Sequence, residues 1–310
     1  MKKTLVLFTT DDAYYFGRIK SENLYVDGLF KDCNSVEKFV LKVLRKLSLP
    51  FTKWFYRSWY KKLNGFDKIV VFDTPFHSDL KLLDNIAKKA PNIEKYFYSW
   101  NTILNEARYA KEREAADRNG FKFFCYDHGS CEKYDLNFNT IMYDNSLQLS
   151  SIEKVEYDAL FLGYLKDRKQ KILELYNLLK DASLNPRFII VSSNPEDESL
   201  PFEFRTGYVN YYDYLKMLEN SGSILDIAQK GQDGFSMRVM EAIFFNKKLI
   251  SSNVALYGAD FYNPNNILII DSDNVDCNEI KEFFEKPFVP YSEATRKYYS
   301  IEAWADRFIL

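Results

Sequence analysis

Short apolar runs that end in acidic or glycine-bearing turns, separated by stretches with helical spacing, recur along the whole chain. TLVLFTT (4–10) is followed by Asp11 and Asp12, and KIVVFDTPF (68–76) carries Asp73 behind its apolar run, so both read as buried strands. Between them SVEKFVLKVLRKL has apolar spacing suited to a helix. KYFYSWN (95–101), ILNEARYAKEREAADRNG and FKFFCYD (121–127) continue the pattern as strand, helix and strand. A second set opens at YDALFLG (157–163). A helix over 168–180, the strand RFIIVSS, the helix YYDYLKMLENS, the strand SILDIA, a helix from Ser236 and the strands KKLISS and NNILIID follow it. Strands that alternate with helices return to the same edge at each crossover, which gives parallel sheets covered on both faces. The expected fold class is α/β with two Rossmann-like domains. The expected divisions are 1–156, 157–290 and a last helical stretch, 291–310, packing back on the N-terminal domain.

Charge narrows the partners. With 42 basic and 44 acidic residues the chain has a net charge of −2, so no global field favours nucleic acid, and any cationic role must be local. Cys33, Cys125, Cys131 and Cys277 are too scattered for a zinc site and too few for a disulfide framework. The N-terminal apolar run is too short for a signal peptide, and no apolar run approaches the ~20 residues that span a bilayer. The expected location is cytoplasmic, with peripheral contact at the inner face of the membrane.

ILDIAQKGQDGFSMRVMEAIFFNKKLISSN (224–253) has an order that a solvent loop would not need. An apolar run ends in Asp226, passes Gly231 and Gly234, and enters a helix with Ser236 and Arg238 in its first turn and Glu241 in its second. A strand, a turn and a helix start in that order suit an anion, because unpaired backbone N–H groups and the helix dipole favour negative charge there. Glu241 lies too deep in the helix to serve the anion. It suits the two hydroxyls of a ribose whose diphosphate rests on the N–H groups of Gly234 to Met237, with Arg238 adding a cation. A glycine-rich turn followed by a solvated helix face is the equally weighted alternative.

This stretch resembles the donor segment of GT-B glycosyltransferases, in which an acidic residue, a glycine-containing turn, a helix and a second acidic residue precede a strand. More narrowly, YVNYYDYLKMLENSGSILDIAQKGQDGFSMRVMEAIFFNKKLISSN with ADFYNPNNILIID resembles bacterial capsular and lipopolysaccharide biosynthesis transferases. The likeness covers Tyr157 to Asp271 well, and the N-terminal part only through YSWN and YD. It implies a GT-B-like architecture of two domains facing across a cleft, and a nucleotide-diphosphate sugar as donor substrate rather than a resident cofactor. Glu241 would hold the ribose, Gly234, Phe235 and Ser236 the diphosphate, and Asp233 would lie near the transferred sugar. Asp233 stands where retaining relatives carry the longer Glu, which leaves the stereochemistry open.

FLGYLKDRK adds a second phosphate candidate. Gly163 ends a strand, and Lys166 and Arg168 fall in the following loop, the ligand edge of such sheets; a charged helix start on the surface is the alternative. Asp271-Ser272-Asp273 has the spacing of a metal-holding pair, but it ends the last expected strand, where turn acids are ordinary. No metal is expected, the diphosphate charge being met by Arg168, Arg238 and helix N–H groups.

From Lys42 to Lys62 the sequence carries seven basic residues and no acidic one, interleaved with Phe51, Trp54, Phe55, Tyr56, Trp59 and Tyr60. That mixture suits an anionic membrane surface, or a lipid-linked acceptor held there, as well as it suits aromatic packing in the first domain. For acid–base chemistry, Asp12 and His128 follow strand ends and are candidate bases, with a purely structural role open for each. The expected activity is transfer of one sugar to a glycan acceptor, lipid-linked, in cell-surface polysaccharide biosynthesis. A nucleotide-sugar epimerase or hydrolase on the same fold, and a non-catalytic partner subunit of a transferase, are the alternatives.

Overall fold

The computed structural model describes residues 2–9, 19, 21–150, 154–165, 168–192, 200–207, 209–229, 231–270 and 276–309. Two compact units divide the chain, one formed by Met1–Ile141 with Ile301–Leu310, the other by Met142–Ser300.

In the first unit the described strands are β1 (Thr4–Thr9), β2 (Leu24–Gly28), β3 (Lys68–Phe72), β4 (Glu94–Ser99), β5 (Lys122–Cys125) and β6 (Asn137–Phe138). They form one parallel sheet in the order β2-β1-β3-β4-β5-β6. Its helices are α1 (Ser35–Lys46), α2 (Asp73–Ser78), α3 (Leu82–Lys89), α4 (Glu106–Arg118) and α5 (His128–Tyr134). Every residue of β3 is buried, which is why its sequence is continuously apolar after Lys68. β2 was not legible as a strand because Asp27 interrupts its short apolar run. That carboxylate is buried yet satisfied, accepting from the Gly28 N–H at 2.9 Å and from Arg57 Nη1 at 3.2 Å.

The second unit carries β7 (Tyr157–Gly163), β8 (Pro186–Val191), β9 (Glu203–Arg205), β10 (Ser221–Asp226), β11 (Lys248–Ser251) and β12 (Ile267–Ile269). All are parallel, in the order β12-β11-β10-β7-β8-β9. This is the doubly wound arrangement in which the direction of winding reverses between β7 and β10, so their C-terminal ends diverge and leave room for a ligand. Its helices are α6 (Lys169–Asp181), α7 (Tyr211–Glu219), α8 (Met237–Phe245), α9 (Cys277–Glu285) and α10 (Glu293–Tyr299). α8 buries Val239, Met240, Ala242 and Ile243, and Asn246 ends it in the left-handed conformation that commonly terminates helices.

The units part at Ile141/Met142 rather than at the 156/157 join read from the sequence. Tyr143 packs with the second unit, its N–H donating to Tyr299 O at 2.9 Å and its ring lying 5.2 Å from Phe244. The terminal stretch 291–310 is likewise not one element. Ser300 is extended, and it separates α10 from α11 (Ile301–Asp306), which belongs to the first unit. There Trp304 is fully buried between Phe72 and Tyr98, and Lys68 Nζ donates to Ala305 O at 2.6 Å, a cation placed on the carbonyl end of a helix. Among the described residues no helix is long and apolar enough to cross a membrane.

Candidate functional site

In the second unit, the ends of β7, β10 and β11 converge on the start of α8. Asp226, the last residue of β10, is buried. It accepts from the Ser236 hydroxyl at 2.7 Å and from the Ser251 hydroxyl at 3.0 Å, one on each carboxylate oxygen. Ser236 is the N-cap of α8, its hydroxyl oxygen accepting from the Arg238 N–H at 3.2 Å, so Asp226 holds the cap and the cap holds the helix start. Arg238 turns back over the sheet. Its Nη2 donates to Leu162 O at 2.6 Å, its guanidinium lies 5.6 Å from the Phe161 ring centre, and its Nη1 is 3.9 Å from Asp226 Oδ1. Gly163 is what permits this approach, because a Cβ there would stand 3.1 Å from Arg238 Nη2 and 3.3 Å from the Phe161 ring.

The loop between β10 and α8 is fixed from three sides. Gly231 takes φ +80 in a turn closed by the Gln232 N–H donating to Gln229 O at 3.1 Å, a backbone conformation suited to glycine. Asn253 Nδ2 donates to Gly234 O at 3.2 Å, and the Phe235 ring packs 5.3 Å from Phe261. Arg168 joins the same edge. It donates from Nη1 to Ile227 O and from Nη2 to Tyr164 O at 2.8 Å, tying the loop after β7 to the loop after β10. The result is a cation-bearing strand edge facing the positive end of a helix dipole at the winding reversal, an arrangement that attracts phosphate.

Glu241 does not reach that edge. It is 2% exposed, its Oε1 accepting from the Tyr211 hydroxyl at 2.9 Å and its Oε2 from the Tyr214 hydroxyl at 2.6 Å. Burial pushes its carboxyl up to about 7, against the lowering influence of the Tyr214 bond, Arg238 and the Tyr211 bond. A ribose could meet this carboxylate only by displacing a tyrosine. Where the sequence reading gives Glu241 to the hydroxyls of a ribose, or to a solvated helix face, the structure makes it a buried tie between α7 and α8, because Tyr211 and Tyr214 sit one turn apart on α7 and cover both oxygens. Asp233 is exposed on the loop, while Lys166 lies outside the described residues, as do Asp271 and Asp273.

No family model matches the sequence, and no curated protein matches it significantly. Solved structures do. An alpha-glucosyltransferase in complex with UDP-glucose and DNA containing an abasic site superposes with a TM-score of 0.53 at 15% identity, over 98% of this chain and 92% of that one. The fold is GT-B. An alpha-glucosyltransferase bound to UDP and mismatched DNA is more distant, with a TM-score of 0.48 at 14% identity over 84% of this chain and 77% of that one.

The first unit of this GT-B chain holds the remaining candidates. Asp12 lies outside the described residues, with Asp11. His128 opens α5 as an exposed residue, its ring stacked 3.8 Å from that of Phe138, beside the buried helix cap Asp127. A charged cluster at the end of β3 went unnoticed in the sequence. Asp73 is fully buried and accepts from Asn101 Nδ2 at 2.8 Å and Arg108 Nη2 at 2.9 Å. Arg108 Nε also reaches Glu112 Oε1 at 3.0 Å, and His77 Nε2 is 2.5 Å from that same oxygen. Burial raises the Asp73 carboxyl above its ordinary range, opposed by the Asn101 bond. Asp73 and Arg108 are 35 residues apart in sequence, as are His77 and Glu112, and only the strand-end position of Asp73 pointed to the cluster.

The 42–62 segment divides. Phe55, Tyr56 and Trp59 are buried in the core of the first unit, and Arg57 is tied to Asp27 and to Phe30 O, whereas Phe51 and Trp54 face outward. Its aromatic content is therefore mostly core, and of its cations Arg57 is committed to the fold.

Proposed function

We propose that this GT-B chain transfers a sugar from a nucleoside-diphosphate sugar, with the donor diphosphate seated at the start of α8 beside Arg238. The observation that carries the reading is the placement of Arg238 at the winding reversal, drawn in over Gly163 and anchored on Leu162 O next to the capped helix start. Arg168 and Lys166 supply further positive charge to the same diphosphate, without a metal, and Gly234, Phe235 and Ser236 shape its seat. Asp233 lies near the transferred sugar. In support, the solved glucosyltransferases of this fold hold UDP or UDP-glucose. Glu241 acts in this reading by locking α8 to α7 and so fixing the helix start, rather than by touching the ribose.

The acceptor is proposed to be a lipid-linked glycan of cell-surface polysaccharide, on the resemblance to capsular and lipopolysaccharide transferases, with Asp12 or His128 as the base if configuration inverts. DNA, present in the solved neighbours, is not favoured here, since the near-zero net charge supplies no phosphate-tracking field. The test is release of nucleoside diphosphate from a panel of nucleotide sugars, with and without polyprenyl-diphosphate-linked saccharides. Release that depends on acceptor is the expected result. Turnover of donor without acceptor would instead support an epimerase or hydrolase, and absence of any donor binding would support a non-catalytic partner subunit.

A further inference from the structure

Helix α1 has two apolar stripes, and the core uses one. Leu41 is buried and Leu44 packs against the core of the first unit. Val36, Val40, Val43 and Leu47 recur at intervals of four, three and four residues, which puts them on one line along the helix. With Phe39 they are 39 to 71% exposed. The turn after α1 extends this face, since Phe51 and Trp54 pack ring to ring at 5.0 Å and Trp54 is 67% exposed. A contiguous outward apolar face of this kind marks an interaction surface.

The third side of the same helix is cationic. Lys38, Lys42, Arg45 and Lys46 line a cavity of about 620 Å³ together with Leu41, His77, Ser78 and Leu80. Among the described residues none of the four forms an ion pair, and no acidic residue occurs between Lys38 and Phe66. Glu37, the one acid of α1, is spent on the Asn34 capping box and on Lys31 at 2.9 Å. Apolar side chains along the full length of a helix, flanked by unneutralised lysine and arginine, match a helix lying in a membrane interface. A protein partner would have to bring matching acids to the cationic side and apolar residues to the other. A bilayer with anionic headgroups offers both at once.

We propose that α1 and the Phe51–Trp54 turn form the surface on which this chain docks on an anionic lipid bilayer, the apolar stripe entering the acyl boundary and the cationic cavity taking a lipid phosphate. The surface stands on the exposure and charge of α1 and does not depend on the sugar-transfer reading, but it would bring the chain to a lipid-linked acceptor. It also relocates the membrane contact from 42–62, whose Phe55, Tyr56, Arg57 and Trp59 are committed to the fold, to 36–54.

The experiment is sedimentation of the full chain with phosphatidylcholine vesicles and with vesicles that also contain phosphatidylglycerol, at low and raised salt. Each near-surface cation multiplies partitioning by about fivefold, so the combined K38Q, K42Q, R45Q and K46Q variant should bind anionic vesicles roughly several-hundred-fold more weakly. The F39S, V43S and L47S variant should still bind at low salt and be released by salt that the wild type withstands. Trp54 emission should shift to the blue with anionic vesicles only, and W54F should remove that shift. All these side chains are exposed, so melting temperatures and nucleoside diphosphate binding should match the wild type, which separates failure of this surface from failure of the donor site. The proposal is overturned if the wild type ignores anionic vesicles at low salt, if the cation variant binds them equally, or if the apolar variant instead abolishes a concentration-dependent self-association.

Discussion

Replacing Arg238 with Ala should weaken binding of a nucleoside diphosphate about 10- to 150-fold while leaving the bare nucleoside nearly unaffected. The range follows from the roughly 1.5–3 kcal/mol that hydrogen bonds to charged groups contribute. Arg238 is suited to the phosphates because its backbone sits in the first turn of α8 and its guanidinium is held over the end of β7, with the side chain 26% exposed. Arg238→Lys keeps the charge but loses the planar fork, so it should recover only part of the affinity. Titration calorimetry with the diphosphate and the nucleoside gives an internal comparison. Equal losses for both ligands would show that Arg238 supports the fold of the edge and does not meet the phosphates.

The second large effect is on stability and concerns Glu241→Gln. The folded-state pKa of Glu241 is raised from 4.5 to about 7, chiefly by burial, so the folded chain holds this proton more tightly than the unfolded one. Its contribution is therefore complete below about pH 4.5 and is lost as pH rises to about 7, a change of roughly 3 kcal/mol at 1.36 kcal/mol per unit. Glutamine has no proton to lose. Urea unfolding should find the variant close to wild type at pH 5 and up to roughly 3 kcal/mol more stable at pH 8. The same difference at both pH values would mean that the buried carboxyl is not titrating in this window. Donor affinity should be unchanged, and a large loss of it in the folded variant would return Glu241 to the ribose.

The alternation of strands and helices was legible because the central strands of both sheets are buried on both faces, and TLVLF, KIVVF and SILD can therefore be continuously apolar. Short or polar-bearing strands were not. β2 contains Asp27, whose partner Arg57 lies 30 residues away, and β9 has only three residues, none buried. At the site, Gly163, Ser236 and Arg238 could be placed together because strand ends and helix starts of a parallel sheet share one edge. Asp226, which organises that start through Ser236 and Ser251, was visible only as the end of an apolar run. The burial of Glu241 could not be read from its spacing to Asp233, since it depends on two tyrosines of another helix. The second stripe on α1 was present in the sequence, but periodicity alone does not say which of two apolar stripes the core takes.

The central claim is that a nucleoside diphosphate binds at the ends of β7 and β10 and the start of α8. Hydrogen exchange of the full chain, with and without saturating uridine, guanosine, thymidine, cytidine or adenosine diphosphate, tests both the binding and its place. The account predicts that at least one of them slows exchange in the peptides around 162–168 and 233–239, through direct contact and through a helix start that opens less often. Protection confined to the first unit, or no protection by any of the five, would contradict it.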